Sequence, residues 1–305
     1  MRILIIGASG QLGKAFIKNI PNKKNNNFKF FTPDRKDFDL TKDFSLIDKY
    51  ISFHKPDWVL NFAAYTEVDK AEKETQLAYK INALAPRAIA LSLKKQKGRM
   101  IQISTDYVFS GEKNNAYVPN DEKNPINAYG KGKSDGEDYV CETLVKRSHI
   151  IRTSWLYGTE GNNFLLTMLR LHNEKGAKKE ILKVISDQIS CPTSTTSLAK
   201  FCWQIILNKN IFIPQKLHWT EKGFCSWFDF STEIGNLALE KNLIKRNAIV
   251  KPVSTIDYYS LAKRPTFSLL DSRESWDLIE KNPTHWKISL SREMDQIQKD
   301  FFIKK

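Results

Sequence analysis

MRILIIGASGQLG, residues 1–13, sets an unbroken apolar segment, Ile3 to Ile6, directly against glycines at positions 7, 10 and 13. A short apolar run without alternation suits a strand buried on both faces, as a parallel sheet requires. The three glycines then divide the work. Gly7 permits a tight turn, Gly10 lets the backbone approach a pyrophosphate, and Gly13 lets a helix beginning near Gln11 pack closely on the strand. An anion would sit at that helix's positive N-terminus.

The pattern repeats outward. FKFF (28–31), DWVLNFAA (57–64) and RMIQIS (99–104) read as further strands, separated by helical SLIDKYISF (45–53) and ETQLAYKINALAPRAIALSLKK (74–95). Strands alternating with helices predict an α/β fold, a Rossmann doubly wound parallel sheet. A chain of 305 residues has room for more than this sheet. We expect a dinucleotide-binding core over 1–155 and a smaller, mainly substrate-binding region over 156–305, some of whose segments return to the core. After the second strand, Asp34 stands beside Arg35. An acid there takes the ribose hydroxyls of NAD, whereas an arginine meets the 2'-phosphate of NADP, so the residues leave the coenzyme open.

Composition narrows the partners. The excess of 48 basic over 34 acidic residues gives +14, which raises the question of a nucleic acid. The lysines are scattered, and no arginine-rich stripe interleaves with aromatics, so a nucleic-acid partner is not expected; a nucleotide diphosphate suits the charge as well. The four cysteines form no CxxC pair and no histidine stands at zinc spacing, which reads as reduced thiols without a metal site. The apolar run at the start is far too short for a signal core or a membrane span, so a cytoplasmic protein with no membrane contact is expected.

AYGKGKSDGE (128–137) holds the reactive pair. Residues four apart share a helical face, so Tyr129 and Lys133 can address one ligand. A nearby ammonium favours the phenolate and should bring the Tyr129 pKa down toward neutrality. Gly130 and Gly132, at the helix start, would let the backbone approach the coenzyme. ISTDYVFSG (103–111) leaves a strand at its C-terminal end, where open α/β sheets bind ligands, and offers the hydroxyls of Ser104 and Thr105.

This Ser/Thr, Tyr, Lys arrangement, with GASGQLG as the glycine turn, resembles the extended short-chain dehydrogenase/reductases. NFAAYTEVDKAE (61–72), STDYVFSG (104–111), RTSWLYG (152–158), SDQISCPTSTTSLA (186–199), GFCSWFDF (223–230) and AKRPTFSLLD (262–271) narrow the resemblance to the dTDP-4-dehydrorhamnose reductase family, as far as about residue 271. The resemblance implies NADPH- or NADH-dependent reduction of the 4-keto group of dTDP-4-dehydro-L-rhamnose. On matching positions, Tyr129 would be the proton donor, Lys133 would bind the nicotinamide ribose, and Thr105 would hydrogen-bond the sugar. Gly10, Gln11, Leu12, Asp39, Leu40, Ala63, Ala64, Tyr65 and Thr66 would line the coenzyme. Asp106 and Trp155 would face the sugar. Apart from the resemblance, Arg264 in AKRP is expected to reach the diphosphate of the sugar nucleotide, because a guanidinium matches phosphate oxygens bidentately, with a structural ion pair as the alternative.

Some family members are similar to a dimer bridged by Mg2+ through glutamates. One of these glutamates falls where this chain has Ala15, so no matched ligand supports the metal, and a monomer or a homodimer is expected. Two alternatives stand beside the reductase. A 4,6-dehydratase or epimerase shares the fold, but a dehydratase needs an Asp-Glu pair where this chain has Asp106 and Tyr107. A non-catalytic, coenzyme-binding regulatory subunit shares it too, and fold alone does not decide.

Overall fold

The computed structural model describes residues 1–21, 27–208, 212–279 and 284–303. Its first half runs β1 (Arg2–Ile6), α1 (Gln11–Lys18), β2 (Lys29–Phe31), α2 (Ser45–His54), β3 (Trp58–Asn61), α3 (Val68–Lys73), α4 (Thr75–Tyr79), α5 (Ala85–Lys94), β4 (Arg99–Thr105), α6 (Ala128–Thr143) and β5 (Ser148–Thr153). The second half runs β6 (Leu156–Tyr157), α7 (Phe164–Lys178), β7 (Ile181–Ile185), β8 (Ile189–Ser190), β9 (Thr193–Ser194), α8 (Thr195–Leu207) and β10 (Lys216–His218). It continues with β11 (Cys225–Ser226), α9 (Trp227–Glu240), β12 (Ile249–Val253), α10 (Arg273–Leu278) and α11 (Trp286–Ile303). No described helix is long and apolar enough to cross a membrane.

The main sheet has the order β2-β1-β3-β4-β5-β10, and every neighbouring pair is parallel. Its two faces follow from the two-residue period of a strand. Ile3 and Ile5 of β1 turn into a cluster with Leu12 and Phe16 of α1 and Leu198, Phe201 and Trp203 of α8. Leu4 and Ile6 turn the other way, onto Ile47 and Ile51 of α2, Ile89 and Leu93 of α5 and Val140 of α6. The strand order reverses between β1 and its neighbours β2 and β3, which opens a crevice at their C-terminal ends. A separate core, with Leu165, Leu182, Phe230, Ile234 and Leu290, binds α7, α9 and α11 to β7.

Two elements differ from their sequence reading. The helix expected over 74–95 is divided into α4 and α5 by one π-helical turn, Lys80–Leu84, and a separate short helix, α3, precedes it from Val68. That turn places Asn82 so that its side chain accepts from the Tyr65 N–H (2.9 Å) and donates to the Tyr65 carbonyl (3.0 Å). Strand β3 stops at Asn61, so residues 62–66 leave the sheet as a loop that Asn82 pins.

Gly130 and Gly132 also serve another purpose than the one expected of them. A Cβ on Gly130 would lie 2.1 Å from the Tyr107 carbonyl oxygen, and one on Gly132 would lie 3.3 Å from the Asn82 side chain. A Cβ on Gly136 would lie 2.2 Å from the Asn82 carbonyl oxygen. These glycines let α6 approach protein backbone, and the coenzyme is not what they make room for. Gly136→Ala should therefore destabilise the fold by about 1–3 kcal/mol or more, overlap outweighing the helical preference for alanine of about 1 kcal/mol. A urea melt showing the variant to be as stable as the parent would refute this close approach.

Candidate active site

A cleft of about 850 Å3 opens at the C-terminal edge of the sheet. It is lined by the turn after β1, the loop after β2, the loop after β3, the end of β4 and the start of α6. Gly7 sits at φ +82, a conformation that favours glycine, and a Cβ there would strike the Ala63 backbone at 2.8 Å. Gly13 lies beneath the turn, where a Cβ would meet Ala8 and the Gly7 carbonyl at 2.5 Å. Gly10 is the N-cap of α1 and supplies no capping side chain, so the first-turn N–H groups of α1 remain open to an anion. The cleft thus fits a dinucleotide by its volume, its uncapped helix terminus and its tight glycine turn.

Of the residues singled out in the sequence, Gly7, Gly10, Gln11, Leu12, Arg35, Asp39, Leu40, Ala63, Ala64, Tyr65, Thr66, Thr105, Asp106, Tyr129, Lys133 and Trp155 line this one cleft. Gly13 supports it from below. Arg264 is not itself part of the lining: the guanidinium pairs with the Asp69 carboxylate, as the alternative of a structural ion pair has it, donates to Ser260 and to the Ala262 carbonyl, and meets the cleft only through the side chain of Tyr107. Asp34, at the rim, accepts from the Lys36 and Asp37 N–H groups with one oxygen, as a turn cap does. Asp39 accepts from the Thr41 hydroxyl and N–H, and these bonds hold its carboxyl below the usual range. Exposed Arg35 brings a positive charge near it.

At the inner end, burial governs the titrating groups. Tyr129 is pushed up to about 12, chiefly because burial disfavours the phenolate; a hydrogen bond with Thr105 opposes this and the Asp106 carboxylate adds to it. Lys133 is drawn down to about 8 by burial, against the pull of Glu137 one turn further on. Its ammonium donates to the Ile103 carbonyl at 2.5 Å. The expectation that Lys133 brings Tyr129 toward neutrality is therefore corrected: the Lys133 ammonium is turned onto the Ile103 carbonyl and does not offset burial, so Tyr129 is shifted upward, away from neutrality. Asp106 lies at the turn after β4, where Oδ1 accepts from Thr105 Oγ1 (3.0 Å) and Oδ2 from Ser268 Oγ (2.5 Å). Burial still raises it to about 7.

Several lining residues were not singled out. Asn61, Tyr107, Gly161, Asn162 and Trp227 all face the cleft. Gly161 (φ +81) brings the loop after β6 against Gln11, and Glu160 in that loop pairs with Lys14 at 2.7 Å. Trp155 adopts φ +46, which for so bulky a residue costs of the order of 1–3 kcal/mol and persists only where its surroundings enforce it. Its ring stacks on Trp227 with centroids 3.5 Å apart and planes 11° from parallel.

The Asp106 carboxyl sets a pH dependence. Its folded pKa of about 7 exceeds the ordinary 3.8, so its stabilising contribution is full below about pH 4 and is lost as pH rises through about 7. Asp106→Asn should flatten the fall in urea-melt stability between pH 5 and pH 8 relative to the parent; an equal fall in both proteins would contradict the assignment.

The family model described as RmlD substrate binding domain matches residues 1–299. A dTDP-4-dehydrorhamnose reductase of Aggregatibacter actinomycetemcomitans is 36% identical over 297 residues, covering 95% of this chain and 97% of that protein. The crystal structure of a dTDP-4-dehydrorhamnose reductase from Clostridium acetobutylicum superposes with a TM-score of 0.86 at 39% identity, over 98% of this chain and 100% of the other. A Bacillus anthracis dTDP-4-dehydrorhamnose reductase in complex with NADP superposes at 0.84 with 34% identity, over 97% of this chain and 99% of the other.

Proposed function

This chain belongs to the RmlD substrate binding domain family, and from that membership we propose how its cleft works. The protein is an NADPH-dependent oxidoreductase that reduces the 4-keto group of dTDP-4-dehydro-L-rhamnose to give dTDP-L-rhamnose. When bound, the coenzyme supplies the hydride. The chain's own residues supply position and a proton.

The observation that carries the residue assignment is the meeting of Tyr129, Thr105 and Lys133 at the inner end of one cleft that begins at an uncapped glycine turn. Tyr129 donates a proton to the oxygen at C4, and its high pKa keeps that proton available across the working range. Thr105, hydrogen-bonded to Tyr129, holds the same oxygen in line. Lys133 holds the nicotinamide ribose. Gly7, Gly10, Gln11 and Leu12 receive the diphosphate of the coenzyme, and Ala63 to Thr66 its nicotinamide half. Asp106 is the acid beside Thr105, and Tyr107 follows it, which favours reduction over a dehydration that needs two. Trp155 faces the sugar. Arg264 would meet the sugar nucleotide's diphosphate by exchanging Asp69 for phosphate.

The same proposal assigns residues 1–155 chiefly to the coenzyme and 156–305 mainly to the sugar nucleotide. It takes the protein as cytoplasmic, where its four free cysteines suit a reducing compartment, and as a monomer or homodimer.

Tyr129→Phe keeps the ring and removes the donor, so kcat should fall by about 10²- to 10⁴-fold with NADPH binding nearly unchanged. Oxidation of NADPH on enzymatically made dTDP-4-dehydrorhamnose measures this, and a variant keeping half its turnover would sink the assignment. Arg35 is proposed to tilt the enzyme toward NADPH while NADH is still used. Arg35→Ala should lower the NADPH-to-NADH ratio of kcat/KM; an unchanged ratio makes Arg35 a solvated loop residue.

A further inference from the structure

Trp155 is held in its left-handed conformation by contacts that reach far beyond the cleft. Its carbonyl accepts from the Thr193 N–H at 3.4 Å, and the preceding Ser154 hydroxyl donates to the Cys191 carbonyl at 2.7 Å. These bonds fix the backbone on both sides of the bend while leaving the ring to its neighbours. The neighbour is Trp227, the first residue of α9, whose ring lies flat against it.

Trp227 is itself held from three directions. Phe164 packs on it with centroids 4.5 Å apart. The N-terminus of α9 is locked by a reciprocal cap between Ser226 and Asp229. The indole N–H donates to Gln188 Oε1 at 3.2 Å, and Gln188 Nε2 donates to Thr255 Oγ1 at 3.1 Å. Thr255 is fixed in turn by the Asp187 carboxylate, which accepts from its N–H (2.8 Å) and its hydroxyl (2.6 Å). An unbroken chain of bonds thus runs from the loop after β12, through Gln188, to a ring on the wall of the cleft. Gln188 is only 3% exposed, so water does not compete for these bonds.

We propose that Trp227 is a positioning residue for the reduction: it acts through Trp155, clamping that indole in the left-handed bend so that a flat apolar plate faces the sugar end of the cleft, with Gln188 fixing the register of the stack. The proposal rests on the reductase reading above, since the plate is assigned to the sugar. A hexose lays the C–H face of its ring and its C6 methyl on such a plate. A ring free to tip would leave C4 misaligned with Tyr129, and a displacement of about 1 Å at a reacting centre costs as much as about 10²-fold in rate. The coenzyme, at the glycine turn, would not sense the change.

Two stacked indoles couple their transitions, which gives a far-ultraviolet circular-dichroism couplet independent of catalysis. In Trp227→Ala the couplet should vanish, and kcat/KM for the sugar nucleotide should fall by about 10- to 100-fold while KM for NADPH changes less than about twofold. Trp227→Phe keeps a flat ring and should recover most of the loss. A thermal melt establishes that each variant is folded at the assay temperature. A folded Ala variant with sugar kcat/KM within about threefold of the parent overturns the proposal, and so does a Phe variant as impaired as Ala.

Should Trp227→Ala fail to fold, Gln188→Ala removes the anchoring bond and leaves both rings. A weakened couplet with a lowered sugar kcat/KM then supports the proposal, and an unchanged couplet or an unchanged sugar kcat/KM overturns it. A parent protein that turns over no dTDP-4-dehydrorhamnose would overturn the reductase reading instead. Titration of the couplet with dTDP-L-rhamnose separates the two: a response in the parent that is lost in Gln188→Ala supports the clamp, and equal responses in both count against it.

Discussion

The active end of the cleft depends on one buried ion pair. Arg152 on β5 grips Glu137 on α6 with two nearly parallel bonds, Nε to Oε1 at 2.8 Å and Nη2 to Oε2 at 2.7 Å, and both side chains are almost wholly shielded from water. Arg152 stands in register with Ser104 of β4, and Glu137 lies one helical turn past Lys133. The pair therefore fixes how far α6 slides along the sheet, and with it the distance from Tyr129 to Thr105. Burial alone would lift the Glu137 carboxyl, yet the charge and hydrogen bonds of Arg152 hold it below its ordinary value. Removing Glu137 would strand the Arg152 guanidinium at a cost of about 3–5 kcal/mol, whereas Glu137 would keep Lys123, 3.5 Å away, if Arg152 were removed. The pair's directionality sets register, which an apolar contact of equal size would leave loose.

The seating of α6 also explains why burial rules the chemistry of its first turns. Glycines at 130, 132 and 136 bring the helix down onto the turn after β4 and onto the π-helical turn. Lys133 is almost wholly shielded there and Tyr129 is partly buried at the cleft wall, and burial raises the pKa of Tyr129 and lowers that of Lys133. On the function proposed above, the neutral phenol of Tyr129 would be the group that gives a proton to the nascent alkoxide. The π-helical turn serves the same site from the other side, since Asn82 there clamps the loop at Tyr65.

Much of this was legible in the sequence where the determinants are local. The strand and glycine turn at 1–13, the order of strands and helices up to β4, and the four-residue spacing of Tyr129 and Lys133 each rest on neighbours along the chain. What could not be read depends on contacts between distant segments. The lowered Tyr129 pKa was expected from a nearby ammonium, but desolvation is a property of the packed site. Gly130 and Gly132 were read as facing a coenzyme because nothing local reveals that Tyr107 and Asn82 lie above them. The break at Lys80–Leu84 leaves no mark in the apolar period. Trp227 stood in a quoted motif, yet its partner Trp155 is 72 positions away, and only the strained φ of Trp155 marks the pair as more than core.

The sheet is completed by chain that comes late. The Trp203 indole of α8 donates to the Phe16 carbonyl across 187 positions, and its ring stacks on Phe16 at 4.2 Å. Strand β10 then covers the open edge of β5. During synthesis the first half of the chain thus leaves the ribosome with one apolar face of its sheet uncovered and one edge unpaired, until about two hundred residues have emerged. Closing so long a loop is intrinsically slow, and an unpaired edge is a template for the wrong neighbour. The nascent chain is in this interval a natural client for a chaperone that shields apolar surface, and synthesis that stalls just before α8 would strand it in its most aggregation-prone form.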